Sequence, residues 1–180
     1  MPPIAITPEI TLRPAVLSDA QALADAQIRN KAHLAATEPY RDARYYTAAA
    51  QAERITQPHS ATWVLVDGER IVGRVMLTGI VLGPLCGASL GYWVDGEYRG
   101  RGLTPAAVEE VARAARDELG LHRLEAGTLT DNEASQRVLA KCGFVRYGLA
   151  PKYLHIAGQW RDHVLFQRIL HDDPPAHVPK

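Results

Sequence analysis

Residues 104–120 hold the clearest helical pattern of the chain, and a strand-like run stands on each side of it. Val108, Val111, Ala112, Ala115 and Leu119 fall on one face at helical spacing, so this helix has an apolar stripe to bury. Thr104 is placed as its N-cap, Pro105 as its first-turn proline and Gly120 as its stop. Residues 89–94 read as the strand before it and 122–129 as the strand after it. A helical crossover is the connection that parallel strands need.

The remaining segments add hairpins to that crossover. Residues 10–13 alternate and end at Pro14, a short strand. Ser18 stands three residues before Gln21, a capping-box pattern, and a first helix follows to about Asn30. Residues 31–46 are polar and aromatic, and a second helix covers about 47–57, ending before Pro58. Runs 62–66 and 70–77 flank Asp67-Gly68, a tight hairpin signal. A short helix with Ala134, Val138 and Leu139 stops at Gly143. Strands at 144–147, 153–156 and 164–170 close the chain, with a turn at Gly158 between the last two. The order is β-α-α-β-β-β-α-β-α-β-β. Mixed hairpins and crossovers give an α/β (α+β) fold, with a mixed sheet and helices on its faces.

Composition narrows the function. Lys plus Arg equal Asp plus Glu at 20 each, so no net charge draws the chain to nucleic acid or to an acidic membrane. No run approaches the ~18 apolar residues of a membrane span, and residues 1–13 lack a signal-peptide pattern. The two cysteines, Cys86 and Cys142, are far apart and read as reduced core residues. A cytoplasmic protein is expected, with a single domain over 1–170 and a mobile tail over 171–180. No metal ligand set is assigned.

The chemistry centres on Arg99-Gly100-Arg101-Gly102-Leu103-Thr104-Pro105. A strand ends, the chain turns through two glycines, and a helix begins. A helix N-terminus offers unpaired N–H groups and partial positive charge, glycines allow close approach, and Arg99 and Arg101 add formal charge. This describes a cradle for a phosphate or pyrophosphate; the plainer reading is a tight loop that needs two glycines for its backbone angles. No Gly-Lys-Ser/Thr follows, which excludes a P-loop.

Arg99-x-x-Gly102-x-Thr104, after a strand and opening a helix, resembles the acetyl-CoA signature of the GNAT N-acetyltransferases, with Thr104 where a Gly or Ala is usual. Asn132-x-x-Ser135 with Lys141-Cys142-Gly143-Phe144 is similar to the family's second cofactor segment. Gly158-Gln159-Trp160-Arg161-Asp162-His163-Val164, with His122-Arg123 and Glu38-Pro39, resembles the RimJ/RimL-like branch, the ribosomal-protein alanine N-acetyltransferases. The likeness covers roughly residues 9–170. It implies a GNAT acyl-CoA N-acyltransferase fold of about seven strands and four helices, with acetyl-CoA as cofactor and direct acetyl transfer to an amine.

The resemblance also implies roles. The backbone of Arg99, Gly100, Arg101, Gly102, Leu103 and Thr104 would hold the pyrophosphate. Backbone groups at Trp93 and Val94 would bind the pantetheine arm, and Asn132 and Ser135 would face arm and thiol. Many members take the sulfur-side proton from a tyrosine seven residues after the asparagine. That position is Leu139 here; the RimJ/RimL-like branch uses the serine of Asn-x-x-Ser instead, so the resemblance makes Ser135 the candidate acid. Glu97, Glu38, His122 and His163 are candidates for the base, Glu97 first. Glu38 and Tyr45, in the polar-aromatic segment, are candidates for the substrate wall. The acceptor is a protein or peptide N-terminus, or a small amine such as an antibiotic, a polyamine or an amino-acid derivative; a non-catalytic acyl-CoA sensor is a third reading. A monomer or a homodimer is expected.

Overall fold

The computed structural model describes residues 1–175. Its eight strands are β1 (Ile4–Ala5), β2 (Ile10–Pro14), β3 (Ala61–Asp67), β4 (Arg70–Val81), β5 (Gly87–Val94), β6 (Arg123–Leu129), β7 (Val145–Ile156) and β8 (Gln159–Ile169). They form one sheet in the order β1-β2-β3-β4-β5-β6-β8-β7. The β5–β6 pair, joined by the crossover helix, is parallel, and the other neighbours are antiparallel. Four α-helices accompany the sheet: α1 (Ala20–Leu34), α2 (Ala48–Ile55), α3 (Leu103–Asp117) and α4 (Glu133–Lys141).

Strand alternation divides the core between the two faces. Val64 and Ile71 pack with Leu23, Ala26 and Leu34 of α1, and Trp93 of β5 joins them. Their neighbours Leu65 and Val72 face the other way, onto the stripe Ala107, Val108, Val111, Ala112 and Ala115 of α3. Tyr92 and Val94 border this second cluster. Each face of β5 therefore serves a different helix layer. Cys86 and Cys142 are both free and buried.

Several boundaries differ from the sequence expectation. Ser18 makes no capping bond; it sits in a 3-10 turn, Leu17–Asp19, and the anchor is Asp19. The Asp19 carboxylate accepts from the Val16 N–H at 2.8 Å and from both terminal Arg13 nitrogens at 2.7 Å. Helix α1 continues past Asn30 to Leu34. Strand β1 was not expected, since two residues after a Pro-Pro start carry no readable period. The gap expected at 148–152 is part of one long strand, β7, with pairing irregularities at Arg146/Gly148 and Ala150/Leu154. β7 is an edge strand, where Pro151 and the left-handed Lys152 (φ 49°) fit such an irregularity. The expected mobile tail over 171–180 lies outside the described residues from Ala176 onward; at its start the His171 carbonyl meets Nδ1 of His122.

Asp95 ties the end of β5 to both neighbours. It is 1% exposed. Its carboxylate accepts from Arg29 Nε of α1 at 2.7 Å, from Arg70 of β4 at 3.2 Å and from the Glu97 N–H at 3.1 Å. Its own N–H donates to the Val72 carbonyl at 2.8 Å. Burial alone would raise this acid, but these donors, Arg29 foremost, hold it down at about 2. A carboxyl depressed below its ordinary value of 3.8 stabilises the fold above that value, and the contribution is lost as pH falls from 3.8 through about 2. Asp95→Asn is therefore expected to cost about 1–3 kcal/mol at neutral pH and to flatten the acid limb between pH 4 and 2, read from urea melts across that range.

Candidate active site

Strands β5 and β6 pair only through Gly87–Ser89 and Arg123–Glu125. Beyond those three positions they diverge, while β5 stays paired to β4 up to Val94. One edge of β5 from Leu90 to Val94 is thus left without a strand partner. A cleft of about 560 Å³ opens there, lined by Leu90 to Val94 of β5 and Ala126 to Leu129 of β6. Because it passes between strands, it is reached from both faces of the sheet.

At one side the cleft meets the start of α3. Gly100 and Gly102 have φ of +75° and +74°, the left-handed region that glycine enters without cost. A Cβ at either position would meet nothing within 4 Å. The glycines therefore serve the turn, and open space lies where their side chains would stand. Gly102, not Thr104, occupies the N-cap position, and no side chain caps the helix. Thr104 lies two residues past the cap, where it lines the cleft beside Arg99. The first N–H groups of α3 are left without side-chain partners, which suits an anion.

The cradle is expected from backbone groups, and the side chains of the segment point different ways. Leu103 is 2% exposed and belongs to the core. Arg101 donates to the Glu97 carbonyl at 3.1 Å and stacks on the Tyr98 ring at 4.6 Å, away from the cleft. Arg99 carries the side-chain charge on the cleft side.

Helix α4 closes another wall. The Asn132 side-chain oxygen accepts from the Ser135 N–H at 3.1 Å, an N-cap that fixes the helix start, and both residues line the cleft. Ser135 Oγ lies 2.8 Å from Tyr92 Oη, and Oη lies 3.3 Å from the Ser135 carbonyl. Burial pushes the Tyr92 phenol up to about 12, only partly offset by Ser135, so it is neutral across the working range. The contact joins β5 to α4 across the opening. Tyr92 was not singled out from sequence; the signal available was the alternation that turns it to the α3–α4 face beside a predicted Trp93.

The base candidates separate. Glu97 is an outer residue: its side chain is 65% exposed, pairs with Arg70 and is absent from the cleft lining. The 3-10 turn Gly96–Tyr98 directs it there. His122 lies at the far end of β6 against His171. Glu38 and His163 line the cleft. Glu38 stands 3.9 Å from Arg41 and is the one carboxylate in that lining among the described residues. His163 is buried, with Nδ1 3.1 Å from the Arg161 carbonyl; that carbonyl only accepts, so Nδ1 carries the proton. Tyr45 is buried rather than wall-forming. Its hydroxyl accepts from Arg74 at 3.2 Å, and its ring supports Arg41 and Arg54.

Comparisons with known proteins agree with this architecture. Residues 9–145 match the acetyltransferase (GNAT) domain family. The probable N-acetyltransferase YjcK of Bacillus subtilis is 34% identical over 174 residues, which is 91% of this chain and 96% of that protein. The crystal structure of the ribosomal-protein-S5-alanine acetyltransferase from Vibrio fischeri superposes with a TM-score of 0.92 at 33% identity, over 97% of this chain and 100% of that one. Mycobacterium smegmatis RimJ, solved in complex with CoA-disulfide, gives a TM-score of 0.81 at 28% identity, over 89% and 81% of the two chains. The chain belongs to the GNAT acetyltransferases. Within them it stands on the RimJ/RimL-like branch, as its terminal hairpin implied.

Tyr92→Phe removes one hydroxyl from the β5–α4 contact and leaves the ring. It is expected to cost about 1 kcal/mol in denaturant unfolding, with an unchanged slope. No change in midpoint would show that the contact carries no stability.

Proposed function

We propose that the chain transfers the acetyl group of acetyl-CoA directly to a primary amine, the N-terminal α-amine of a protein or peptide. The observation that carries this is the opening of β5 from β6 between two built ends: the α3 N-terminus with Gly100 and Gly102, and Ser135 on α4. Membership of the family and the CoA-bound relative support the cofactor. The open glycine turn fits a pyrophosphate, since open space lies where the glycine side chains would stand and no side chain caps the helix. The unpaired edge of β5 at Trp93 and Val94 offers amide groups to the pantetheine arm, in the manner of an added strand.

Bound acetyl-CoA supplies a thioester, whose carbonyl carbon accepts the amine nitrogen as the sulfur departs with the bonding pair. The chain's own groups manage orientation and protons. Ser135 gives the sulfur its proton. The phenol is the stronger acid of the hydroxyl pair, so Tyr92 donates to Ser135 and leaves the serine proton free for the cleft. Leu139, where a tyrosine would stand in many relatives, is 1% exposed and has no proton to give. Glu38 takes the amine proton, directly or through a water, because it is the carboxylate that reaches the cleft. An N–H at the β5 edge polarises the carbonyl.

Two features favour a peptide over a polyamine. A polycationic amine would need converging carboxylates, and among the described residues the lining has Glu38 alone. The relatives named for ribosomal-protein alanine acetylation lie close in sequence and fold. A ribosomal protein beginning with alanine is therefore the first acceptor to try, and it places the reaction in the cytoplasm.

Thiol release from acetyl-CoA with an alanine-starting peptide tests the activity. Ser135→Ala is expected to lower kcat about 100-fold while the KM for acetyl-CoA stays within about twofold. An unchanged kcat would remove Ser135 from the proton path.

A further inference from the structure

We propose that the acceptor carries an acidic group beside its amine, and that Arg41, Arg54 and Arg74 receive it. This rests on reading the cleft as an acetyl-transfer site, and it names the chemistry of what enters from the second side. The side chains of Arg74 and Trp93 are paired across β4 and β5, so they share the α1–α2 face. Tyr92 and the α3 helix occupy the other face. The opening joins the two, and the arginines stand on the face away from the phosphate cradle.

Three guanidiniums gather around one phenol ring. The Arg41 and Arg54 Cζ atoms lie 4.7 and 5.1 Å from the centre of the Tyr45 ring, and Arg74 donates to its hydroxyl. All three line the cleft. Arg74 is 3% exposed, yet its contacts are neutral: Gln51 Oε1 at 3.3 Å and Tyr45 Oη at 3.2 Å. Its Nε is buried without a partner, as are those of Arg54 and Arg41. Among the described residues, neither Arg54 nor Arg74 has an acid within ion-pair reach, and Arg41 has only Glu38 at 3.9 Å.

A buried charge is costly unless it is paired and hydrogen-bonded. Here three cations face one carboxylate, and unused N–H groups remain at each of the three. Burial first, then Arg74 and Arg41, depresses the Arg54 guanidinium, with Tyr45 opposing. The arrangement is short of one anion. An arginine fork matches a carboxylate well. Placed beside the reacting amine, the same charges favour its neutral, nucleophilic form. The anion comes either from an Asp or Glu following the first residue of a peptide, or from the free α-carboxylate of a short peptide or amino acid.

Two matched pairs distinguish the sources: an eight-residue peptide starting Ala-Glu against the same peptide starting Ala-Gln, and Ala-Ala with a free carboxylate against its amide. The anionic member of at least one pair is expected to have a kcat/KM about tenfold higher or more. Arg54→Gln and Arg41→Gln are each expected to reduce that preference below about threefold, with melting curves showing that both variants fold. Equal kcat/KM within both pairs would overturn the proposal, as would a preference that survives both substitutions or turnover of none of the four. Acetylation of both long peptides without preference, with the dipeptide pair equal or unreactive as well, would leave the peptide reading standing and this one fallen. Turnover of the free-carboxylate dipeptide alone would do the reverse.

Discussion

The structure depends on the short parallel ladder between β5 and β6. Three paired positions hold the sheet together, and beyond them both strands carry backbone groups that no neighbour satisfies. Such groups must find partners, in water or in a ligand. A sheet that splits at its centre also loses the continuity of its core, so the split needs supports. Asp95 supplies one by tying the end of β5 to α1 and β4. The Tyr92–Ser135 contact supplies the other by tying β5 to α4. The Tyr92–Ser135 contact lies within the cleft lining, and Asp95 directly follows Val94 of that lining in the chain.

Much of this was legible where one local rule governs the outcome. The α3 stripe, its stop at Gly120 and the strands on each side specified the crossover; Gly120 takes φ +63°, and the Leu121 N–H closes onto the Ala115 carbonyl at 2.8 Å. Asp67-Gly68 marked the β3–β4 hairpin for similar reasons. Boundaries failed where a tertiary partner decides. Asp19 replaced Ser18 because Arg13 arrives from β2, and β7 became one strand because β8 pairs along its length. The N-cap of α3 moved from Thr104 to Gly102 because the turn needs a left-handed residue there, and a threonine rule could not see that.

The site was legible in its phosphate half and less so in its acceptor half. Arg99, Thr104, Asn132 and Ser135 stand at positions set by sequence-local turns and caps, and they line one cleft. Glu97 is near them in sequence but turns outward to Arg70. Arg74 and Arg54 come from a strand and a helix far apart in the chain, and they meet only because β4 sets Arg74 opposite Trp93 while α2 packs beside it. Their shared centre, Tyr45, was expected at the wall and instead lies beneath it.

The two faces of the sheet thus present different chemistry to one opening: Arg99 and Thr104 at the helix start on the α3 side, unpaired guanidinium on the α1–α2 side. Amide hydrogen exchange with and without saturating CoA tests the central claim that the β5 edge and the α3 start form one ligand site. Exchange is expected to slow in residues 91–94 and 99–104 together. Unchanged exchange in both segments at a CoA concentration that saturates binding would contradict it.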